Sequence, residues 1–338
     1  MSEDARARAL REWLSALYPE ADIRMVPASV DASFRRYFRI EGVADVPRVA
    51  MDAPPGQEDL GPFLNVGARL MAAGIRVPAV LAQDRRQGFL LLEDLGRETY
   101  LQAFAHSDPA PLMAAAIPAL VRMQSHTASD GLPVYDQDLL MRELRLFPDW
   151  YLAEVLGLRL CETEQQRFAE SFEALCRRAL AQARVFVHRD FMPRNLMASP
   201  PLPGVIDFQD AVQGPISYDP VCLFMDAFYS FEPGKVTEGL LAYYRQAWAQ
   251  GLPLPESEDA FLSDCCWMAA HRHIKVIGIF ARIARRDGKP HYLKDVPRFF
   301  QYLRASAADE RARGNTELAE CLAPLLHFAP GEARGAAV

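Results

Sequence analysis

The stretch that decides the fold is Val187-His188-Arg189-Asp190-Phe191-Met192-Pro193-Arg194-Asn195-Leu196, followed by Val205-Ile206-Asp207-Phe208. Asp190 and Asn195 share one loop, and Asp207 follows twelve residues after Asn195, at the end of an apolar run. The apolar runs 185–187 and 204–206 predict two short strands that hold the loop between them like a hairpin with a long tip. Such a hairpin brings two carboxylates and one amide to the same place.

These three side chains suit phosphoryl transfer. That reaction needs positioning, a magnesium ion and a carboxylate that takes the proton of the nucleophile. Carboxylate and amide oxygens are ligands that Mg²⁺ prefers. His-Arg-Asp with Asn five residues after the Asp is the catalytic-loop pattern of protein kinases and their relatives, and Asp207 stands where those enzymes place a metal-binding Asp. An isolated Asp-x₄-Asn is a common polar loop, but the complete pattern between two apolar runs favours a kinase-like site.

Composition excludes several other classes of protein. The 338 residues, half of them hydrophobic, suffice for one large domain or two lobes. The net charge of −7 without a basic stripe argues against nucleic-acid binding, and no apolar run approaches the ~18 residues of a membrane span. Six cysteines without C-x-x-C spacing and a charged N-terminus indicate a cytoplasmic protein. Nothing in the sequence indicates an obligate protein partner.

The pattern of apolar residues changes near residue 96. Before it, a helix over 2–18 capped by Ser2 precedes a small antiparallel sheet and one inserted helix, with a hinge at 92–96. The predicted strands are 23–27, 37–40, 48–51, 80–82 and 89–92, and the inserted helix is 59–73. After it, helical periodicity dominates, over 111–127, 138–156, 163–183 (capped by Thr163 with Gln166), 219–231, 234–250, 258–286, 296–308 and 317–326. The sequence predicts an α+β, bilobal, protein-kinase-like fold, with a nucleotide-binding lobe over 1–96 and a catalytic and substrate-binding lobe over 97–338.

The catalytic-loop motif makes the chain resemble the aminoglycoside phosphotransferase and choline kinase family of small-molecule kinases over nearly its whole length. Three further stretches make it resemble most the bacterial members of this family that act on N-acetylmuramate and N-acetylglucosamine: Ser33-Phe-Arg-Arg-Tyr-Phe-Arg39, Met51-Asp-Ala-Pro-Pro55 and 270–282. The resemblance implies ATP and Mg²⁺ as cofactors, Asp190 as the catalytic base, and Asn195 and Asp207 as metal ligands. It also implies that His188 and Asp219 support the catalytic loop, Asp219 by accepting backbone hydrogen bonds. Asp219 also suits a helix N-cap.

The expected nucleotide site departs from the kinase pattern. No glycine-rich loop joins the first two strands, and Met51 stands where a kinase has its phosphate-binding lysine. We expect Ser29 and Ser33 to contact phosphate together with backbone N–H groups, and Arg36 or Arg39 to replace the lysine. A solvated strand face explains both arginines equally well. Glu93 and Leu95 in the hinge are expected to bind the adenine edge.

The long helix over 258–286 carries the expected substrate site. His271, Arg272 and Lys275 are predicted to form a cationic stripe that faces the cleft and binds the lactyl carboxylate of N-acetylmuramate. The alternative is that these cations face solvent or pair with the chain's excess carboxylates. Within the family, the chain most resembles bacterial amino-sugar kinases of peptidoglycan recycling, which implies phosphorylation of the anomeric hydroxyl of N-acetylmuramate or N-acetylglucosamine. The alternatives are a kinase for an aminoglycoside or amino alcohol and, less favoured, a nucleotide-binding pseudokinase.

Overall fold

A computed structural model of the chain describes residues 4–30, 34–43 and 47–331, with only the backbone of Ser29 and Val30. The chain divides into two compact units. Unit 1 comprises Met1–Ala119 and Arg194–Asp210, and unit 2 comprises Leu120–Pro193 and Ala211–Val338. The predicted lobe boundary after Gly96 therefore lies inside unit 1, because 97–119 and 194–210 group with the sheet. The assignment of nucleotide binding to 1–96 and catalysis to 97–338 stays a prediction.

Unit 1 is built on a five-stranded antiparallel sheet with the strand order β1-β2-β3-β5-β4. The strands are β1 (Arg24–Val30), β2 (Arg36–Glu41), β3 (Arg48–Asp52), β4 (Val80–Asp84) and β5 (Phe89–Glu93). Helix α2 (Leu60–Ala72) lies between β3 and β4 in the chain, and the Asp59 side chain accepts a hydrogen bond from the Gly61 N–H at 2.8 Å at its start. The predicted small antiparallel sheet with one inserted helix is confirmed.

Helix α1 (Ala5–Leu17) covers one face of this sheet. Leu10 and Leu14 pack on apolar side chains of the strands, among them Ile40 and Ala50. The N-cap of α1 is Asp4, whose carboxylate accepts the Ala7 N–H at 2.7 Å. The predicted cap, Ser2, lies outside the described residues. Burial of these two leucines stabilises the packing of α1 on the sheet by roughly 3–6 kcal/mol.

The segment after the catalytic loop corrects one prediction. Strand β6 (Arg184–Val187) pairs with β9 (Val212–Pro215) in unit 2, whereas β7 (Leu196–Met197) pairs with β8 (Gly204–Val205) in unit 1. The runs 185–187 and 204–206 therefore do not form the predicted hairpin with each other. Each finds another partner, because the short β7–β8 ladder closes locally and leaves β6 to pair beyond Asp207.

Unit 1 also contains α3 (Tyr100–Ala103) and the start of α4 (Pro109–His126). The helices that lie entirely within unit 2 are α5 (Gln137–Leu144), a π-helix (Phe147–Val155), α6 (Glu162–Leu180), α7 (Tyr218–Phe224), α8 (Pro233–Ala249), α9 (Glu258–Arg286), α10 (Val296–Ala312) and α11 (Glu317–Leu326). The predicted bounds of α9 and α11 are confirmed. Among the described helices, none is long and apolar enough to cross a membrane.

Three helix predictions in unit 2 are wrong in detail. The predicted helix over 219–231 ends seven residues early, because α7 stops at Phe224. The predicted helix over 138–156 is divided into α5 and the π-helix, which has Pro148 near its start. Proline lacks the N–H that a continuing α-helix requires. The predicted cap of α6, Thr163, lies inside that helix. The observed N-cap is Cys161, whose N–H donates to Glu164 at 2.8 Å.

Candidate active site

Asp219 holds the backbone of the loop after β6 by two hydrogen bonds. One carboxylate oxygen accepts the His188 N–H at 2.7 Å and the other accepts the Arg189 N–H at 3.0 Å. Asp219 is completely buried, and this burial raises its pKa to about 7, although the two N–H donors act in the opposite direction. The backbone hydrogen bonds expected of Asp219 are therefore present. The N-cap of α7 is Ser217 rather than Asp219.

Arg189 adopts a left-handed backbone conformation, with φ of 76°. Such conformations are unfavourable for residues other than glycine and persist where the surroundings hold them. Here the Arg189 guanidinium donates to Glu143 at 2.5 Å, and its carbonyl accepts from the Cys222 thiol at 3.2 Å. The turn at Arg189 directly precedes the half-buried Asp190, whose N–H donates to His188 Nδ1 at 3.3 Å. The direction in which Asp190 leaves the loop is thus fixed by its neighbours.

Glu143 is the centre of a buried ionic network in unit 2. Besides Arg189, its carboxylate contacts Lys275 Nζ at 3.0 Å and accepts the Tyr135 hydroxyl. Lys275 in turn donates to the Tyr218 hydroxyl at 2.9 Å. Burial alone would raise the pKa of Glu143, but Lys275 and Arg189 lower it to about 2. The network stays charged at neutral pH.

No sequence pattern predicts a role for Glu143. It lies in α5, 46 residues from Arg189 in the chain, and spacing over such a distance carries no signal. The one available signal is local, since Glu143 stands beside Leu140 and Leu144 in the buried part of a short amphipathic helix. A carboxylate in that position needs a partner.

The cationic residues of α9 are buried rather than exposed. His271, Arg272 and Lys275 all belong to the interior, so a solvated surface is not observed, and their role in substrate binding stays a prediction. The reason is that α9 is covered by α6, α7, α10 and the π-helix, and thus lacks a polar face here. Lys275 pairs with a carboxylate, as the alternative held. His271 lies with Nε2 3.2 Å from the Leu140 carbonyl, and burial lowers its pKa to about 4, so it is neutral at pH 7.

Asn195 and Asp207 meet within unit 1. The Asn195 amide nitrogen lies 3.3 Å from one Asp207 oxygen, and Gln209 donates to the other at 2.9 Å. The Ile206 N–H donates to the Asn195 carbonyl at 3.1 Å, which ties the two positions together. Asp207 also has a left-handed backbone, with φ of 65°. In the described residues no group of three or more His, Cys, Asp and Glu side chains forms a metal site. An amide–carboxylate pair nevertheless fits Mg²⁺, which takes one or two protein ligands and completes its shell with phosphates and water.

The expected phosphate-binding arginines already have carboxylate partners. Arg36 pairs with Asp52 and with Asp4, and Arg39 Nε lies 2.8 Å from Asp94. The Arg39 guanidinium also donates to the Gly96 carbonyl at 2.6 Å. Ser33 and the side chain of Ser29 lie outside the described part of the chain. A phosphate role for these four residues stays a prediction.

The predicted hinge leaves one backbone donor without a partner. The Glu93 N–H donates to the Ala79 carbonyl at 2.9 Å, and the Leu95 carbonyl accepts from the Ser199 hydroxyl. The Leu95 N–H has no hydrogen-bond partner among the described residues. An unused N–H on a buried residue is suited to donate to the edge of a planar ligand, which is what a kinase hinge requires.

Comparison with known proteins assigns the chain to a family. A sequence model described as "Phosphotransferase enzyme family" matches residues 24–254. The chain belongs to this family. It contains the Asp190 loop, Asn195 and Asp207 within the matched range, and the protein is accordingly a phosphotransferase.

Curated relatives share most of the chain. A protein of Pseudomonas aeruginosa named N-acetylmuramate/N-acetylglucosamine kinase is 50% identical over 335 residues, covering 96% of this chain and 98% of the relative. Proteins of the same name from Pseudomonas putida and Neisseria meningitidis are 48% and 42% identical, over 89% and 87% of this chain and 91% and 89% of the relatives.

Solved structures agree in fold. A choline kinase from Streptococcus pneumoniae matches with a TM-score of 0.63 and 13% identity, over 90% of this chain and all of that one. An ADP-bound aminoglycoside phosphotransferase matches with a TM-score of 0.57 and 19% identity, over 89% of this chain and 98% of that one. The protein-kinase-like fold of this family is thereby confirmed.

Proposed function

We propose that the protein is an ATP-dependent kinase that phosphorylates the anomeric hydroxyl of N-acetylmuramate and N-acetylglucosamine. The observation that carries the proposal is the 50% identity, over nearly the full length of both chains, to a Pseudomonas aeruginosa kinase named for these two sugars. The product is a sugar 1-phosphate. We place the reaction in peptidoglycan recycling in the cytoplasm, where both sugars are salvaged.

Asp190 acts as the general base in this proposal. It accepts the proton of the anomeric hydroxyl while the sugar oxygen forms a bond to the γ-phosphorus of ATP. The bond between the γ-phosphorus and the β–γ bridging oxygen breaks, and ADP leaves with that oxygen and its electron pair. The hydrogen bonds from His188 and Arg189 to Asp219 support this role, because they fix the backbone that presents Asp190.

Asn195 and Asp207 are the residues that would hold Mg²⁺. The ion supplies charge neutralisation on the phosphates when it is bound. The Asn195–Asp207 contact at 3.3 Å and the Gln209 hydrogen bond keep both side chains in one arrangement before the nucleotide arrives. The free Leu95 N–H supports adenine binding at the hinge, beside Glu93. Arg36 and Arg39 remain the predicted phosphate contacts of unit 1, shared with their carboxylates.

The test is an incubation of the full-length protein with Mg-ATP and, separately, N-acetylmuramate, N-acetylglucosamine, an aminoglycoside and choline. We expect a mass increase of one phosphate on both amino sugars only. Asp190→Asn is the matched control, since it keeps the shape of the side chain and removes the base. Its turnover should fall by about 10²–10⁴-fold. Phosphorylation of the aminoglycoside or choline in place of the sugars would contradict the proposal.

A further inference from the structure

Arg272 is a buried cation without an anionic partner. Its side chain is 2% exposed. The guanidinium contacts the Met225 carbonyl at 3.5 Å and the Met192 thioether at 3.7 Å, and these are its only polar contacts with the described part of the chain. No carboxylate oxygen of the described residues lies within 4.0 Å of it. Both contacts are long and weak for a group with five N–H donors.

The other buried cations near the catalytic loop are paired. Arg189 and Lys275 both contact the Glu143 carboxylate, at 2.5 Å and 3.0 Å. Removing a charge from water is expensive unless an opposite charge and hydrogen bonds replace the water. The fold provides an opposite charge for Arg189 and Lys275 but not for Arg272. An unpaired buried charge of this kind is expected where a ligand supplies the missing partner.

The surroundings of Arg272 are incomplete in the same way. Asp226, which is completely buried, has one carboxylate oxygen without a partner, and His273 has an unpartnered Nδ1. Asp226 follows Met225, whose carbonyl Arg272 contacts, and His273 follows Arg272 itself. Burial would lower the pKa of Arg272, but neighbouring groups, first Cys222 and Tyr218 and then Asp190 and Asp226, raise it. The side chain remains a cation at every pH at which an enzyme works, because a guanidinium is not deprotonated in proteins.

The contacts of Arg272 place it beside the catalytic loop. Met192, whose thioether it contacts, follows two residues after Asp190. Of the two residues, only Met192 contacts Arg272 through its side chain, which is 8% exposed, whereas the contact with Met225 is to its backbone carbonyl. Methionine side chains are unbranched and adaptable, and they move aside at less cost than a branched residue. Movement of the Met192 side chain is therefore the step by which an anion at the Asp190 loop would gain contact with the guanidinium.

We propose that Arg272 binds the phosphoryl group during its transfer and stabilises the charge on its oxygens. This inference rests on the proposed function. It also revises the expectation that Arg272 reads the lactyl carboxylate. The relatives' name includes a sugar with that carboxylate and one without it, and the phosphoryl group is the anion that both reactions share. A permanently buried cation is better matched to the anion present in every turnover.

The test compares Arg272→Met with Arg189→Met in the full-length protein. Removing an unpaired buried charge should leave the ligand-free melting temperature unchanged or raise it, by up to about 4 °C. Arg189→Met removes a partner from Glu143 and should lower it. At the same time Arg272→Met should lower kcat by about 10²–10³-fold with both sugars alike, because one donor to a developing oxyanion is lost. The KM of each sugar should change little.

Arg272→Lys gives an independent measurement, because it keeps the charge without the forked geometry. It should recover part of the lost kcat with both sugars. A loss confined to N-acetylmuramate would overturn the proposal in favour of carboxylate recognition. A melting temperature lowered as far as in Arg189→Met, failure of Arg272→Met to fold, or wild-type kcat in both variants would overturn it as well.

The two proposals fail separately. If the wild-type protein phosphorylates neither sugar, the proposed function fails. The slow hydrolysis of Mg-ATP by water then serves as the readout for Arg272. It should fall in Arg272→Met by a similar factor, and unchanged hydrolysis would overturn the inference.

Discussion

Two buried polar regions of unit 2 each contact the catalytic loop, one at Arg189 and the other at Met192, and they differ in how completely their charged groups are paired. Around Glu143, each charged group meets an opposite charge or a hydroxyl, and the cations at 189 and 275 share one carboxylate. Around Arg272, a guanidinium, a carboxylate oxygen of Asp226 and an imidazole nitrogen of His273 have weak partners or none. In the first region both cations have a counter-charge without ligand, although the neighbouring His271 also has an unpartnered Nδ1, and the region holds the loop. In our proposal the phosphoryl group supplies the counter-charge that the second region lacks.

The difference suggests how a buried charge that stabilises the fold is distinguished from one that binds a ligand. Both regions contain cations that sequence reasoning groups together, because Arg272 and Lys275 are three residues apart on α9. The two cations differ only in their partners: Lys275 has a carboxylate partner, and Arg272 has none within 4.0 Å among the described residues. A paired buried charge predicts a loss of stability upon mutation, whereas an unpaired one predicts a loss of activity with little loss of stability.

Glu143→Gln should have the largest effect on stability. The substitution keeps the shape of the side chain but leaves two buried cations without a counter-charge, and the free energy of unfolding should fall by about 3–5 kcal/mol. Urea denaturation followed by circular dichroism measures it. Glu238→Gln is the control, because Glu238 and Lys235 form an exposed pair at 2.8 Å whose loss should cost less than about 1 kcal/mol. An equal loss of unfolding free energy in both variants would show that the buried pairing at Glu143 contributes no more than an exposed ion pair.

Asp226→Asn should raise the free energy of unfolding, in contrast to Glu143→Gln. Burial raises the pKa of Asp226 to about 6, so the ionised carboxylate at pH 7.5 destabilises the folded state relative to the unfolded chain. The neutral amide keeps an acceptor for the Phe228 N–H, which Asp226 accepts at 2.7 Å. The variant should be more stable than the wild type at pH 7.5, by about 2–3 kcal/mol.

The sign of this effect depends on pH. Because the folded pKa of Asp226 is raised, the folded state binds more protons between pH 4 and 6, and stability from this group is lost as the pH rises through about 6. The advantage of Asp226→Asn should therefore shrink by roughly 1 kcal/mol at pH 5. Asp219→Asn is the counterpart. Burial raises the pKa of Asp219 as well, but an amide has a single acceptor oxygen and cannot accept both the His188 and the Arg189 N–H, so this variant should be less stable than the wild type. A stabilised Asp219→Asn would show that partner count does not decide the outcome.

His273 should produce a smaller effect that appears only in acid. Burial, assisted by Arg272, lowers its pKa to about 3, so the folded state carries it neutral while the unfolded chain binds a proton below about pH 6.5. Stability should fall by about 2 kcal/mol from this group between pH 7.5 and pH 5. His273→Phe keeps a ring for the stacking on Tyr302, at 4.7 Å between centroids, and should reduce the pH dependence by that amount. An unchanged slope would contradict a neutral His273.

Several parts of this structure follow from local sequence. The bounds of α9 were predictable because Ser257 caps its start and apolar periodicity continues to Arg286. The five strands followed from short apolar runs separated by turn residues. The hydrogen bonds of Asp219 followed from the family resemblance rather than from spacing.

Other parts depend on contacts between distant residues. The pairing of β6 with β9 competes with the local β7–β8 ladder, and runs of two to four residues do not reveal which pairing wins. The burial of His271, Arg272 and Lys275 was missed because helical periodicity describes one helix and not the number of neighbours around it. The partner of Arg189 was missed because Glu143 is joined to it only by the tertiary fold.

The central claim is that the anomeric oxygen of an amino sugar attacks the γ-phosphorus of ATP. Its most direct measurement uses N-acetylglucosamine carrying ¹⁸O at the anomeric position, incubated with the protein and Mg-ATP and followed by ³¹P nuclear magnetic resonance. We expect a phosphate ester whose phosphorus signal shows the isotope shift of one directly bonded ¹⁸O, and no such product with Asp190→Asn on the same timescale. A phosphorylated sugar without the isotope shift would place the phosphate on another hydroxyl and contradict the account.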